Sequence, residues 1–198
     1  MIRPGLRRAL VCANVCVALG GAGLVAYPFA TDAFAAHWVQ PHARSRLSAP
    51  GLASAYRRDA VPVESPVTRL RLRRLGIDVV VVQGVTGDAL RAGAGHYPST
   101  PLPGERGNVA IAGHRTTYGK PFRHLDAVVR GDRIELLTPV GTFVYEVTVG
   151  PYVIAPGDLS VLAQDQRSLL TLTTCNPVHS ARERLVVQAV LVSGGVDA

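Results

Sequence analysis

One cysteine of this 198-residue chain, Cys175, lies outside the apolar N-terminal segment, and it closes a strand-like run over residues 168–174. An isolated cysteine is most often a small buried hydrophobe. This one is followed within a turn by two arginines, Arg182 and Arg184, and positive charge beside a thiol favours its nucleophilic thiolate form. The setting makes Cys175 a candidate nucleophile.

A histidine at a strand end is the candidate acid or base. His114 follows the apolar run 108–113 and precedes a polar loop, a position from which an imidazole can transfer protons. His96 lies in a glycine-rich loop and His179 lies four residues after the cysteine, so both stay open as site residues. The remaining histidines are interpreted as structural or surface residues: His37, His42 and His124.

Two arginines compete to stabilise negative charge near the thiol. A guanidinium is permanently charged and can hold a thiolate or the oxyanion of acyl transfer. Arg184 opens a strand candidate over residues 185–192, which a hairpin would return beside Cys175. This position favours Arg184, but Arg182 has the same parity in an extended chain and stays an alternative.

The elements that must position these residues have an all-β pattern. Alternating and β-branched runs are separated by glycine and proline turns. Strands are predicted over residues 68–72, 79–82, 108–112, 133–137, 142–149, 152–154, 169–174 and 185–192. Short helices are predicted over residues 121–129 and 158–162, and residues 93–95 are interpreted as a turn. About eight short strands indicate a closed β-barrel or a sandwich.

The N-terminal segment predicts a membrane anchor. Residues 9–30 contain no charge, and a helix of that length, about 33 Å, crosses a hydrocarbon core of about 30 Å. Arg3, Arg7 and Arg8 precede it and Asp32 follows, which predicts a cytoplasmic N-terminus. The alternative is a cleaved signal peptide, although the apolar core of such a peptide runs to only about 7–15 residues.

The chain therefore divides into four predicted segments. These are a basic cytoplasmic N-terminus (1–8), a transmembrane helix (9–30), an extracellular stem without regular periodicity (31–66) and an extracellular β-domain (67–198). An unpaired thiol outside the cytoplasm is exposed to oxidation without stabilising the fold, which strengthens the case that Cys175 is functional. The net charge of +7 comes largely from arginines without interleaved aromatic residues, which argues against nucleic-acid binding.

Two motifs resemble the signature of the sortases. The first is TLTTC at residues 171–175 with Arg184 nine residues after the cysteine, and the second is NVAIAGHR at residues 108–115. The segments GHYP at 95–98 and GHRTTYG at 113–119 most resemble the class E sortases of actinobacteria.

The resemblance spans residues 67–192 and implies an eight-stranded sortase β-barrel. It also implies a cysteine transpeptidase that cleaves a sorting signal between threonine and glycine and transfers the threonine carbonyl to an amine. Cys175 would be the nucleophile, His114 the general acid and then base, and Arg184 the clamp for oxyanion and substrate. Thr174 would help to position the substrate through its hydroxyl or backbone.

The class E resemblance extends to substrate and partners. It implies a signal of the Leu-Ala-any-Thr-Gly type, and a tyrosine near Tyr97 is associated with acceptance of its alanine. Tyr97 and its neighbour His96 are therefore candidate substrate-binding residues. The implied partners are secreted proteins with a C-terminal sorting signal, an amine of a peptidoglycan precursor and the cell membrane.

No metal or other cofactor is predicted. The sequence has no His-Glu-any-any-His motif, and one exported cysteine cannot form a multi-thiolate zinc site. The acidic residues form no obvious calcium cage, so independence from calcium is expected. Two other functions stay open: another exported Cys–His wall hydrolase or transpeptidase, and a non-enzymatic anchored barrel in which Cys175 is incidental.

Overall fold

A computed structural model describes residues 4–196 of the chain. Helix α1 spans Pro4–Phe34 and continues through a π-helical turn, Ala35–Val39, into α2, Gln40–Arg46. In the part of the chain that the structure describes, one helix, from Val11 to Arg46, is long and apolar enough to cross a membrane. This apolar helix is compatible with the expected membrane anchor.

A closed barrel of eight strands confirms the predicted all-β fold. The strands are β1 (Pro66–Leu72), β2 (Ile77–Gln83), β3 (Ala94–His96), β4 (Gly107–Gly113), β5 (Arg133–Thr138), β6 (Gly141–Ile154), β7 (Ser168–Asn176) and β8 (Glu183–Val196). Around the barrel they follow the order β1-β2-β3-β4-β7-β8-β6-β5. The pairs β2–β3 and β4–β7 are parallel, and the others are antiparallel.

The strand predictions were wrong in two places, although the expected number was right. Residues 93–95 were expected to be a turn, but most of them belong to β3, whose backbone pairs with β2 on one side and β4 on the other. Residues 142–149 and 152–154 were expected to be two strands and form one, β6, which stays paired with β8 across register shifts. Tertiary backbone pairing overrides the local glycine and proline signals here.

The predicted short helices are mostly replaced by single turns. Residues 121–129 contain only a 3₁₀ turn at Leu125–Ala127, and residues 158–162 contain one at Ser160–Leu162. A third 3₁₀ turn, Arg73–Leu75, joins β1 to β2. A helix that the sequence reading did not predict, α4 (Gly87–Ala92), precedes β3, and the Thr86 hydroxyl caps it by accepting a hydrogen bond from the Ala89 amide at 3.2 Å.

The predicted irregular stem is largely helical. Besides the continuation of α1 through α2, residues Leu52–Arg57 form α3. Buried Leu52, Tyr56 and Val61 pack in one apolar cluster with three residues of the domain, Val67, Leu102 and Val140. The stem therefore shares a small core with the barrel.

Polar contacts join the end of the long helix to the barrel wall. The Gln40 side chain accepts a hydrogen bond from the Val80 amide at 2.8 Å and donates one to the Ala92 carbonyl at 2.6 Å. Asp32, two residues beyond the predicted span, forms an ion pair with Lys120. These contacts fix the direction from which the helix approaches the barrel.

The core shows which strand residues point inward. Strand side chains alternate between two faces, and the buried core takes the following residues from the strands that carry the site: Val109 and Ile111 of β4, Leu170 and Leu172 of β7, and Leu185, Val187 and Ala189 of β8. Side chains of opposite parity at the ends of these strands face outward.

Candidate active site

The ends of β4 and β7 lie side by side because the two strands pair in parallel. Their register aligns Ala112 with Thr173, so the next residues along each strand are also neighbours. The buried Thr174 hydroxyl donates a hydrogen bond of 2.7 Å to the Gly113 carbonyl. This bond joins the residue before the histidine to the residue before the cysteine.

The β7–β8 hairpin places an arginine opposite the cysteine. In the antiparallel register Cys175 pairs directly with Arg184. The Arg184 guanidinium donates through Nη1 to the carbonyls of Ala181, at 3.1 Å, and Glu183, at 3.0 Å. Arg182 lies in the connection before β8 and is exposed.

By parity, the three site residues share one face of the sheet. Cys175 and Arg184 each have parity opposite to the core residues of their own strand, and His114 continues the outward parity of β4. Cys175, His114 and Arg184 therefore lie at neighbouring strand ends on the outward-facing side of the sheet. A thiol, an imidazole and a guanidinium are the groups that acyl transfer can use.

Half-buried His114 packs against the ring of Tyr118, and Arg91 lies over the same tyrosine ring. Its ring centroid is 5.2 Å from that of Tyr118, and Arg91 lies 6.0 Å from the Tyr118 ring centroid. Burial, followed by the positive charge of Arg91, lowers the pKa of His114 below its ordinary value of 6.5. The lowered pKa favours the neutral imidazole at neutral pH.

Gly113 makes room for a buried ring beside the strand end. A Cβ built at Gly113 would lie 2.7 Å from Cδ2 of Phe122. Phe122 is fully buried. The missing side chain admits this ring, which supports the strand end immediately before His114.

The other expected site residues have different surroundings. Tyr97 follows β3 and is half-buried, and its amide donates to the Ala110 carbonyl at 3.0 Å. His96 is only 1% exposed, with Nδ1 2.7 Å from Gln83 Oε1 and Nε2 2.9 Å from the Pro101 carbonyl. Burial lowers the pKa of His96, and the structure does not bring this residue to the surface beside Cys175.

Sequence reasoning missed the polar residues beside the candidate site residues. Arg115 is buried and donates through Nη1 to Asn176 Oδ1 at 2.6 Å. Arg115 lies within both histidine motifs and Asn176 follows the cysteine motif, but a residue type alone does not show that an arginine next to a strand-end histidine points inward. Strand parity at the end of β4 was the available signal.

The fold and the site together define a closed eight-stranded barrel with a cysteine, a histidine and an arginine at adjacent strand ends. The sortase domain family matches residues 70–192, which is more than half of the chain. The chain belongs to the sortase family.

Similar proteins include sortases of two classes. Sortase D of Bacillus subtilis is 32% identical over 122 residues, a match that covers 60% of each chain. Sortase SrtE1 of Streptomyces coelicolor is 30% identical over 138 residues, which cover 62% of this chain and 39% of the relative. The chain therefore matches between about two fifths and three fifths of the length of these curated relatives.

A solved structure extends the likeness to the fold. Sortase E from Streptomyces avermitilis superposes with a TM-score of 0.63 at 33% identity, covering 68% of this chain and 93% of the other.

Proposed function

We propose that this chain is a membrane-anchored cysteine transpeptidase. It cleaves a Leu-Ala-any-Thr-Gly-like sorting signal between threonine and glycine and transfers the threonine carbonyl to an amine of a peptidoglycan precursor. The observation that carries the proposal is the register that pairs Cys175 with Arg184, beside the β4 end that leads into His114. The class E signal rests on the motif resemblance, since both class D and class E sortases are similar to the chain.

The first half-reaction forms a thioester. Neutral His114 accepts the Cys175 thiol proton as Sγ attacks the threonine carbonyl carbon, and the carbonyl electron pair moves to oxygen. The Arg184 guanidinium stabilises this oxyanion. When the carbonyl re-forms, the C–N bond breaks, and His114 returns its proton to the departing glycine nitrogen as a general acid.

The second half-reaction reverses the proton flow. The incoming amine attacks the thioester carbonyl while His114 accepts a proton from its nitrogen. The C–S bond then breaks, and the proton returns to the Cys175 sulfur. One amide replaces another, so the cycle needs no oxidant or hydrolytic water.

A peptide assay tests this function. The full-length chain in detergent micelles is incubated with a quenched Leu-Ala-any-Thr-Gly peptide, with and without a glycine-based amine. We expect cleavage and transfer to the amine, and loss of both in Cys175→Ala and His114→Ala. Cleavage that persists in Cys175→Ala would exclude the mechanism, and cleavage without transfer would indicate a hydrolase.

The arginine assignment has its own matched pair. Arg184→Ala is expected to abolish cleavage because it removes the guanidinium of the residue paired with Cys175. Arg182→Ala removes an exposed arginine of the hairpin and should retain activity. The reverse result would make Arg182 the essential residue. The full chain is required because residues 52–61 pack against the domain.

The proposal includes the orientation of the anchor, with the N-terminus cytoplasmic and the domain outside the cell. Three N-terminal arginines before the apolar helix support this orientation. Cys175 is the sole cysteine outside the apolar helix, so a membrane-impermeant maleimide should label it in intact cells expressing a Cys12→Ala/Cys16→Ala variant. Labelling only after cell lysis would contradict the orientation.

A further inference from the structure

A chain of hydrogen bonds links residues adjacent to the three proposed catalytic residues. Arg115 follows His114, Asn176 follows Cys175, and Glu183 precedes Arg184. Arg115 Nη1 donates to Asn176 Oδ1 at 2.6 Å, and Asn176 Nδ2 donates to Glu183 Oε2 at 2.7 Å.

Strand geometry places this chain of bonds behind the catalytic face. Asn176 pairs with Glu183 in the register step next to the pair formed by Cys175 and Arg184. Successive residues of a strand point to opposite faces, so Asn176 and Glu183 face away from the surface that Cys175 and Arg184 share. A substrate held by the catalytic residues would not touch them.

Arg115 contacts the end of β7 from a buried position. Its side chain is only 5% exposed, and besides Asn176 it reaches Asp126, with an Nη2–Oδ1 distance of 3.3 Å. Its Nη1 also lies 3.4 Å from the Cys175 carbonyl oxygen. One rigid guanidinium thus contacts the backbone of the nucleophile and the side chain of the next residue.

The contacts of Arg115 offset only part of the cost of burying it. Its Nε is buried without a hydrogen-bond partner among the residues that the structure describes. A buried charge with incomplete hydrogen bonding is costly compared with an apolar residue of similar size. Stability alone gives a weak reason for an arginine at this position, whereas its donors reach the end of β7 directly and the start of β8 through Asn176.

We propose that Arg115, Asn176 and Glu183 are positioning residues, which set the relative placement of His114, Cys175 and Arg184 from behind the catalytic face. The inference rests on the proposed transpeptidase function. Arg115 acts through Asn176 and the Cys175 backbone and does not contact the substrate.

The first test separates positioning from binding and folding. Arg115→Met keeps much of the side-chain volume and removes every donor. We expect kcat for peptide cleavage to fall about 10- to 100-fold, since small misplacements of reacting groups have effects of this size, while KM changes by less than about twofold. The matched control is Arg106→Met, an exposed arginine before β4, with wild-type kcat expected.

The second test reverses the polarity of the Asn176–Glu183 bond. Asn176→Asp retains the acceptor for Arg115 but places two carboxylates together, so kcat should fall. Adding Glu183→Gln restores a donor opposite the new carboxylate. Because the two sites are coupled, kcat of the double variant should be at least about tenfold higher than kcat of Asn176→Asp. Chemical denaturation of the single and double variants, measured beside kcat, separates a change in placement from a change in stability.

Three outcomes would overturn the proposal: unchanged kcat in Arg115→Met, a rise in KM that accounts for its defect, or no recovery in the double variant. If Arg115→Met does not fold, the polarity reversal decides alone.

Alkylation of Cys175 by iodoacetamide, measured in a Cys12→Ala/Cys16→Ala background, tests the positioning role without depending on the proposed function. If the wild-type chain cleaves no sorting peptide, an unchanged alkylation rate in Asn176→Asp overturns the positioning role, and a change reversed by Glu183→Gln supports it.

Discussion

At the scale of single residues, we expect the protonation state of His114 to set the pH dependence of the proposed transpeptidase. Arg91 is one of two causes that lower the pKa of His114, after burial. Arg91→Gln removes this charge, so the pKa of His114 should rise toward its ordinary value. Because the neutral imidazole accepts the thiol proton, the acidic limb of the kcat/KM profile should move to higher pH, with activity lost first at mildly acidic pH.

Two measurements check this shift, a pH–rate profile with the quenched peptide and an NMR titration of the His114 ring. Arg130→Gln is the matched control because it removes an exposed arginine from the loop before β5. An acidic limb that stays in place or moves to lower pH in Arg91→Gln would contradict the electrostatic role of Arg91.

Gly113 gives a second prediction at this scale. Gly113→Ala should destabilise the fold by about 1–3 kcal/mol, the usual cost of inserting a methyl group into a packed core, because the new Cβ would lie 2.7 Å from the Phe122 ring. Chemical denaturation measures the loss. Gly157→Ala, where a Cβ meets nothing within 4 Å, should leave the free energy of unfolding almost unchanged, and equal effects of both substitutions would refute the steric explanation.

At the scale of elements, one buried hydroxyl joins the two parallel strands of the site. Thr174→Val removes the hydrogen bond to Gly113 while keeping the side-chain shape, and the buried carbonyl loses this partner. The expected loss is about 1–3 kcal/mol of the free energy of unfolding. We also expect kcat to fall, because this bond holds the end of β4 against the end of β7.

Thr68 supplies the matched control for this strand contact. It is also fully buried, but its hydroxyl has no hydrogen-bond partner among the residues described. Thr68→Val should therefore stabilise the protein by about 1 kcal/mol, the cost of burying an unpaired hydroxyl. Denaturation midpoints of both variants test the pair, and similar effects of the two substitutions would contradict the importance of the Thr174 bond.

The elements differ in how far the sequence could predict them. β7 and β8 carry long apolar and β-branched runs, so local pattern was sufficient to place Cys175 at a strand end and Arg184 at a strand start. β3 has only three residues, and two of its neighbours in space, Val81 and Gly113, are remote in sequence. Its strand character arises from these pairings, which also explains why the sequence predicts a loop at His96 although the residue is buried.

The helical stem was missed for a related reason. α3 has only six residues, so the helical i, i+4 spacing of its two buried residues, Leu52 and Tyr56, is too short a pattern to predict a helix. Both belong to the apolar cluster with Val67 and Val140. The polar chain through Arg115 is also a product of tertiary structure. Motif spacing identified the catalytic candidates, whereas the residues that hold them together depend on strand parity and loop path.

At the scale of the whole molecule, the apolar helix and the site are adjacent. The Tyr27 hydroxyl is 2.5 Å from that of Tyr118, whose ring packs against His114. The helix thus contacts the loop that follows His114, and Asp32 binds Lys120 of the same loop. A membrane that contains this helix would lie next to the loop that follows His114.

Exposed apolar residues on the other side of the same helix predict how deeply the helix enters the bilayer. Phe34 and Trp38, one turn apart, are 61% and 73% exposed and continue the apolar surface of the helix beyond Asp32. Tryptophan favours the membrane–water interface. We therefore expect Trp38 to lie in the headgroup region, while Phe29, about 14 Å nearer the N-terminus at 1.5 Å per residue, lies within the acyl chains.

Trp38 is the single tryptophan of the chain, so its fluorescence in vesicles reports this depth directly. We expect a blue-shifted emission that headgroup-attached quenchers reduce more than quenchers deep in the acyl chains. A Phe29→Trp/Trp38→Phe variant should show the opposite preference, and Val129→Trp/Trp38→Phe, with its tryptophan on an exposed barrel loop, should respond to aqueous iodide instead. If Trp38 itself responds to iodide and to no lipid quencher, this side of the helix faces water, and the active-site loop lies farther from the membrane than the Tyr27–Tyr118 contact implies.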